Sequence, residues 1–206
     1  MADKTRSYRM QRRGESQEQT RRRITESAVE LHGTVGPSRT SISAVAAHAG
    51  VRRSTVYRHF PDEAALFDAC TAHWAAANPP PELGVWSTID NPDERLRVAL
   101  GELYAFYRQT DLMLENLFRD ETTVPLVQER FAAFRAYLAA ARDTLMAGRK
   151  LRGAARRRTH AALGHAIAFS TWKSLVREEG LSEADAAVLV CALVAAAAGV
   201  PSGQEP

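Results

Sequence analysis

The chain contains few residues of the kinds that build disulfide frameworks, metal centres or membrane spans. It has two cysteines in 206 residues, too few for a disulfide framework and without the Cys/His spacing of a zinc site. Its longest apolar stretch, 186–200, is too short to cross a bilayer comfortably. The N-terminus has basic residues but no apolar segment typical of a signal peptide. We therefore expect a cytoplasmic protein that needs no metal and no cofactor and has no membrane partner.

The sequence also lacks the motifs of common enzyme active sites. It contains no glycine-rich phosphate loop, no Gly-x-Ser-x-Gly and no His-Glu-x-x-His. Its acidic residues are scattered along predicted helix surfaces. These absences favour a protein that is not an enzyme. A small all-α enzyme and a helical adaptor without specific DNA binding remain as alternatives, and neither predicts salt-sensitive binding to duplex DNA.

The most informative segment is 40–60, which reads as two short helices around a glycine turn. Thr40 and Ser41 are suitable N-caps for the first helix. An apolar face follows at i, i+3, i+4 and i+7, and Gly50 stands where the chain must turn sharply. This pattern predicts a helix-turn-helix, whose second helix enters the DNA major groove. The apolar face consists of Ile42, Val45, Ala46 and Ala49.

The second helix of this pair is basic, hydroxyl-rich and aromatic. Val51, Val56 and Phe60 can anchor it to the first helix, so its other side chains are expected to point outward. Arginine reads guanine edges, and Ser, Thr and Tyr suit phosphates or bases. An ordinary solvated helix pair is the alternative interpretation. The candidate DNA-binding residues are Arg22, Thr40, Ser41, Arg52, Arg53, Ser54, Thr55, Tyr57, Arg58 and His59.

Charge is distributed unevenly along the chain. Residues 1–60 contain twelve Lys and Arg but five Asp and Glu, whereas the whole chain has a net charge of +3. The first 60 residues are therefore at +7 and the remainder is at −4. A basic N-terminal segment followed by a mildly acidic remainder is typical of a nucleic-acid-binding protein.

Residues 20–67 closely resemble the DNA-binding domain of TetR-family transcriptional regulators. The most specific piece is Ala-Gly-Val at 49–51 followed by Thr-Val-Tyr-Arg-His-Phe at 55–60. The resemblance implies an all-α protein, with an N-terminal three-helix helix-turn-helix domain joined to a C-terminal helical ligand-binding and dimerisation domain. It also implies a regulator that binds an inverted-repeat operator in double-stranded DNA. We expect a repressor that is released by a small-molecule effector of unknown identity; an activator is the alternative, because the family contains both.

The sequence departs from the family pattern at two places. Pro61-Asp62 follow Phe60, where the family often has a lysine that contacts phosphate. The link 32–39 lacks the usual aromatic residue after Gly36.

Proline, glycine and capping residues divide the chain into three parts. We expect a disordered basic arm at 1–15, the helix-turn-helix domain at 16–77 and the ligand-binding and dimerisation domain at 78–206. Helices are predicted at about 16–31, 41–59 (as the helix pair), 62–77, 91–110, 112–119, 125–148, 154–178 and 182–198.

The resemblance assigns two roles to the C-terminal part. The last two predicted helices, which are rich in alanine and other apolar residues, would form a four-helix bundle with a second subunit of a homodimer. The alternative is that they only complete the core of the monomer. The helices before them would enclose an effector pocket, although aromatic residues at helical spacing are usually core residues. The candidate ligand-binding residues are Tyr104, Tyr107, Asn116, Phe134, Tyr137, His165, Phe169 and Trp172.

Overall fold

The computed structural model describes residues 2–199, with the side chains of residues 10–12 and 14–199. These residues form helices and connecting turns without any strand. A 3₁₀ turn covers Pro37–Arg39, and a π-helix covers Lys173–Glu178. The α-helices are α1 (Ala2–Thr34), α2 (Ile42–His48), α3 (Arg53–His59), α4 (Glu63–Ala77), α5 (Leu83–Ser87), α6 (Pro92–Asp120), α7 (Pro125–Met146), α8 (Gly153–Ala166), α9 (Phe169–Trp172) and α10 (Glu183–Gly199).

The chain forms two compact units. The N-terminal unit comprises residues up to Pro79 together with Leu112–Phe131, and the C-terminal unit comprises Pro80–Asp111 together with residues from Ala132 onward. The sequence suggested one division near residue 77. The structure adds the end of α6 and the start of α7 to the unit that carries the helix-turn-helix.

The core of the N-terminal unit is built from α1, α2, α3 and α4. Ile24 and Ala28 of α1 and Val56 of α3 are fully buried. They pack with the apolar face predicted for α2, all four residues of which are buried, and with Leu66 of α4. Burial of this apolar surface supplies most of the stabilisation of such short helices, because seven-residue helices are not stable alone.

The C-terminal unit has its own core. Leu100 and Leu103 of α6, Leu145 of α7 and Leu163 of α8 are all fully buried. Helix α10 packs against α8 and buries Ala186, Ala187, Val190 and Val194.

Three helix boundaries differ from the sequence prediction. Helix α1 begins at Ala2, so the arm predicted to be disordered at 1–15 is helical over the residues described. This segment has no proline, and Gln11 donates a hydrogen bond to Glu15 one turn later. Helix α6 runs without a break where two helices were expected, because 102–120 contains no glycine or proline and Thr110 stays in the helix by donating to the carbonyl of Phe106.

The third difference lies at residue 167, where the predicted helix 154–178 is interrupted. Helix α8 ends at Ala166, and the chain continues through α9 into the π-helix. The hydroxyl groups of Tyr104 and Tyr107 donate to the carbonyls of Ala166 and Ile167 respectively. These hydrogen bonds satisfy carbonyl groups that a helix end leaves without partners. The short helix α5 was not predicted.

Candidate nucleic-acid interface

Helices α2 and α3 meet at a tight turn that only glycine adopts easily. Gly50 has φ +63°, and the amides on its two sides close the turn, with Val51 donating to the carbonyl of Ala46. Ser41 caps α2, as predicted, by accepting a hydrogen bond from the amide of Ala44 at 3.1 Å. Val56 and Phe60 are buried to at least 99% and fix α3 on the core, which confirms their predicted role as anchors.

Most of the other side chains of α3 face solvent, as the sequence predicted. Arg52, Arg53, Ser54, Tyr57 and Arg58 are exposed, which leaves three guanidinium groups and two hydroxyls available on one short helix. Thr55 and His59 are half-buried. The geometry therefore brings together seven of the ten residues that the sequence selected for DNA contacts.

Arg53 and Tyr57 interact one turn apart on this exposed surface. The Arg53 guanidinium donates a hydrogen bond to the Tyr57 hydroxyl at 3.1 Å and lies 5.5 Å from the centre of its ring. The hydrogen bond to Tyr57 is the main cause that raises the pKa of Arg53, with the charge of Tyr57 next. Tyr57 therefore orients the Arg53 guanidinium, whose planar shape suits a base edge.

The other three predicted contacts, Arg22, Thr40 and Ser41, already have partners within the protein. Arg22 is exposed and forms an ion pair with Glu26 at 2.7 Å. Thr40 donates to the carbonyl of Gly36, and the Ser41 oxygen holds the first turn of α2. Arg22 can reach a phosphate only by leaving Glu26, which costs little because the pair is exposed.

Arg21 is a residue that the sequence analysis did not select. Its guanidinium donates to the backbone carbonyl of His59 at 2.8 Å and lies 4.2 Å from the centre of the Phe60 ring. Arg21 stands three residues before Ile24 and seven before Ala28, so helical periodicity places it on the buried side of α1. That spacing was the signal that could have distinguished it from its neighbours Arg22 and Arg23.

A second polar arrangement in the N-terminal unit holds the end of α1 and the turn after it. The Asn116 amide donates to the carbonyls of His32 and Gly33, and the Asp120 carboxylate accepts from the amide of Ser38 at 2.9 Å. Arg119 donates to the carbonyl of Val35 and to Asn116 itself. We call Asn116, Arg119 and Asp120 the α6 clamp.

In the α6 clamp, the carboxylate of Asp120 is paired with the guanidinium of Arg119. Burial raises the pKa of Asp120, but hydrogen bonds from Arg119 and Ser38 outweigh burial, so the net shift is downward. The neighbouring His32 is buried, and desolvation lowers its pKa to about 4. Its ring lies 3.5 Å from the Cys70 sulfur and borders a cavity of about 90 Å³ lined in part by Ile42 and Phe67.

The structure brings most of the predicted ligand-binding residues together in the C-terminal unit. Ring contacts with centroid distances of 5.5–6.4 Å connect the rings, with Phe106 as a link. The indole nitrogen of Trp172 is buried and has no hydrogen-bond partner within the described part of the chain. We call the six predicted residues the aromatic cluster; they are Tyr104, Tyr107, Phe134, Tyr137, Phe169 and Trp172.

Two predicted ligand-binding residues stand apart from the aromatic cluster. Asn116 belongs to the N-terminal unit and uses its amide in the α6 clamp. His165 is exposed, with its ring 3.3 Å from the Thr171 hydroxyl. The three tyrosine hydroxyls of the cluster already donate hydrogen bonds within the protein. Those of Tyr104 and Tyr107 donate to the carbonyls at the end of α8, and that of Tyr137 donates to the carbonyl of Pro81.

The core of four helices, the glycine turn and the basic exposed face of α3 define a helix-turn-helix DNA-binding protein. Residues 24–70 match the family described as bacterial regulatory proteins, tetR family. This match identifies residues 24–70 as a DNA-binding domain of the TetR type, as the sequence predicted.

Solved structures extend the similarity of fold beyond this domain. A TetR-like transcriptional regulator from Rhodococcus sp. RHA1 superimposes with a TM-score of 0.62 at 18% identity, covering 85% of this chain and 93% of that chain. A TetR transcription regulator from Haloarcula marismortui gives a TM-score of 0.54 at 14% identity, covering 88% and 97%. No curated protein matched the sequence. None of the helices described is long and apolar enough to cross a membrane.

Proposed function

We propose that the protein is a transcriptional repressor that binds an inverted-repeat DNA operator as a homodimer and is released by a small-molecule effector. The DNA-binding part of this proposal rests on the exposed face of α3. There Arg53 donates a hydrogen bond to Tyr57, and the exposed Arg52 and Arg58 lie on either side in the sequence. Regulators of this family are DNA-binding proteins that generally have no enzymatic activity, and we propose no catalytic role for any residue here.

DNA binding can be tested before the operator is identified. Selection from a random pool of duplexes should recover a preferred site with two related half-sites in inverted orientation. The logarithm of affinity should fall linearly with the logarithm of salt concentration, by about 0.9 for each phosphate neutralised. Recovery of no preferred duplex, or an affinity independent of salt, would contradict the proposal.

Sequence reading should depend on Arg53. The substitution Arg53→Ala should weaken binding to the selected duplex by about 1–3 kcal/mol and relax preference at one or two base pairs in each half-site. Fluorescence anisotropy with selected and random duplexes measures both effects. Arg22→Ala is the matched control, because we assign Arg22 to phosphate and expect it to weaken all duplexes alike. Equal losses on both duplexes for Arg53→Ala would refute its base-reading role.

Helix α10 supports the homodimer. One side of it is buried against the unit's own core, while the other side exposes Val188 by 67%, Leu189 by 40% and Leu193 by 55%. Ala192, Ala195 and Ala196 lie exposed on the same stretch. Small and apolar side chains permit close approach of a second helix. In a two-fold dimer, each subunit would place its α3 in one of the two half-sites of a single duplex.

The aromatic cluster supports effector binding in the C-terminal unit. A buried indole N–H without an acceptor costs free energy unless another group accepts its hydrogen bond. An effector that places an oxygen acceptor beside the Trp172 indole would satisfy this N–H. Once a screen for ligands that release the selected duplex has found one, Trp172→Phe should raise the effector concentration needed for release, while DNA affinity without effector stays the same.

The α6 clamp supports a route from effector to DNA. Helix α6 carries Tyr104 and Tyr107 in one part of its length, and the clamp residues Asn116 and Asp120 further along. We propose that effector binding changes the position of these clamp residues and thereby of the end of α1. Trp74, near the end of α4, is a second candidate relay: Trp74→Phe should leave operator affinity nearly intact but shift the release curve. An unaltered curve would assign Trp74 to packing alone.

A further inference from the structure

Helix α3 is held to the core by few side chains. Within its seven residues only Val56 is buried, and Phe60 follows at its C-terminal cap. Its N-cap residue, Arg52, makes no capping hydrogen bond with its side chain. The direction in which Arg53 and Tyr57 project therefore depends strongly on how the C-terminal end of α3 is fixed.

Arg21 fixes this end from α1. Its guanidinium donates to the carbonyl of His59, the last residue of α3, and covers the face of the buried Phe60 ring. A cation at a helix C-terminus interacts favourably with the carbonyl groups there, and a planar guanidinium can stack on a ring while it donates. Arg21 is half-buried, whereas the adjacent Arg22 and Arg23 are exposed.

We propose that Arg21 is a positioning residue that sets the orientation of α3, and through it the base specificity of the protein, without itself neutralising a phosphate. The specificity part of this inference rests on the proposed DNA-binding function. The contact between Arg21 and the end of α3 can be tested separately, in the free protein.

The test in free protein uses the imidazole of His59 as a reporter. Burial is the main cause that lowers the pKa of His59; the charges of Arg58 and Arg21 lower it further, and Glu18 opposes them. In the full-length protein, Arg21→Gln removes one of the two cations and should raise the pKa of His59, measured by NMR titration. It should also speed amide hydrogen exchange in α3 relative to α2. An unchanged pKa and unchanged exchange would overturn the contact, whatever the DNA results.

The test with DNA uses the selected duplex and a random duplex of equal length. Arg21→Gln should weaken binding to the selected duplex by about tenfold, the scale of a lost hydrogen bond from a charged group. Its affinity for the random duplex, and the salt dependence of that affinity, should stay at the wild-type values. Arg22→Gln, the neighbouring control, should instead reduce the salt slope by about 0.9 on both duplexes.

Further outcomes decide between positioning and direct contact. Equal loss on both duplexes with a reduced salt slope would show that Arg21 binds phosphate and would overturn the proposal. Arg21→Lys can donate to the His59 carbonyl but cannot stack as a planar group, so it should recover part of the lost specificity; no recovery would contradict the carbonyl contact. Thermal unfolding of each variant identifies loss of fold. If wild-type protein binds no duplex, the proposed function fails, whereas the His59 and exchange measurements still test the contact.

Discussion

Gly36 is the glycine, among those that the structure describes, at which an added Cβ atom would meet the nearest neighbours. It adopts φ +93°, and a Cβ atom there would lie 2.0 Å from the Arg119 guanidinium and 2.7 Å from the Asp120 carboxylate. Gly50 also has a positive φ, of +63°, but a Cβ atom there meets nothing within 4 Å. A substitution at Gly50 therefore causes backbone strain alone, whereas a substitution at Gly36 causes backbone strain and also displaces side chains of the α6 clamp.

We predict that Gly50→Ala lowers the free energy of unfolding by about 1 kcal/mol, the cost of placing a side chain at positive φ. Gly36→Ala should cost at least about 2 kcal/mol more, because the Arg119 and Asp120 side chains must also move and lose hydrogen bonds. Urea unfolding of both variants measures the difference. Equal costs would show that the clamp adapts without loss.

His32 gives the protein a pH-dependent stability. Its pKa is about 4 when folded because burial disfavours the charged imidazole, against about 6.5 in the unfolded chain. Between these values the unfolded state binds more protons. The contribution of neutral His32 is therefore complete above about pH 6.5, decreases as pH falls, and is lost by about pH 4.

We predict that this residue alone removes about 3 kcal/mol of stability between pH 7 and pH 4. Urea unfolding at several pH values should show a smaller decrease for His32→Gln than for wild type. Parallel curves for wild type and His32→Gln would mean that His32 is accessible to protons in the folded state.

At the scale of helices, α4 illustrates how a departure from the family pattern has a structural use. Asp62 stands at its N-cap and accepts a hydrogen bond from the amide of Ala65 at 2.7 Å. Where the family often has a phosphate-binding lysine, this chain has Pro61-Asp62, and Asp62 caps the start of α4. The carboxylate also interacts favourably with the helix N-terminus.

We predict that Asp62→Ala lowers the free energy of unfolding by about 1 kcal/mol through loss of this cap. Asp62→Asn keeps the acceptor oxygen and should lose less than half of that amount. Chemical unfolding provides the measurement. A loss in Asp62→Asn as large as that in Asp62→Ala would assign the effect to charge rather than to capping.

The helices that sequence predicted best are those whose signals are local. The glycine turn, the Ser41 cap and the apolar face of α2 lie within a dozen residues of one another, and each is where the pattern placed it. The break after Ala166 could not be predicted, because the hydroxyls that satisfy its carbonyls come from residues some 60 positions earlier. The Asn116 contacts with α1 span more than 80 positions, and no local pattern encodes such a pairing.

At the scale of the whole molecule, the exposed apolar side of α10 makes the proposed dimer testable. A charge at Leu193 would lie close to its own copy across a two-fold axis, and like charges across an interface cost several kcal/mol. We predict that Leu193→Glu yields monomers in sedimentation velocity and weakens binding to the selected duplex by at least about tenfold. Val85→Glu, at another exposed apolar residue, should remain dimeric. A dimeric Leu193→Glu would locate the interface elsewhere.

Because Cys70 is buried, its reaction with a thiol reagent can report transient opening of the core of the N-terminal unit. Desolvation raises the pKa of the thiol to about 12, so a thiol reagent at neutral pH reacts with it only after α4 separates transiently from its neighbours. In a Cys191→Ser background, the rate of labelling therefore increases with the extent of opening, and comparing it with and without duplex DNA reports how far DNA binding suppresses that opening.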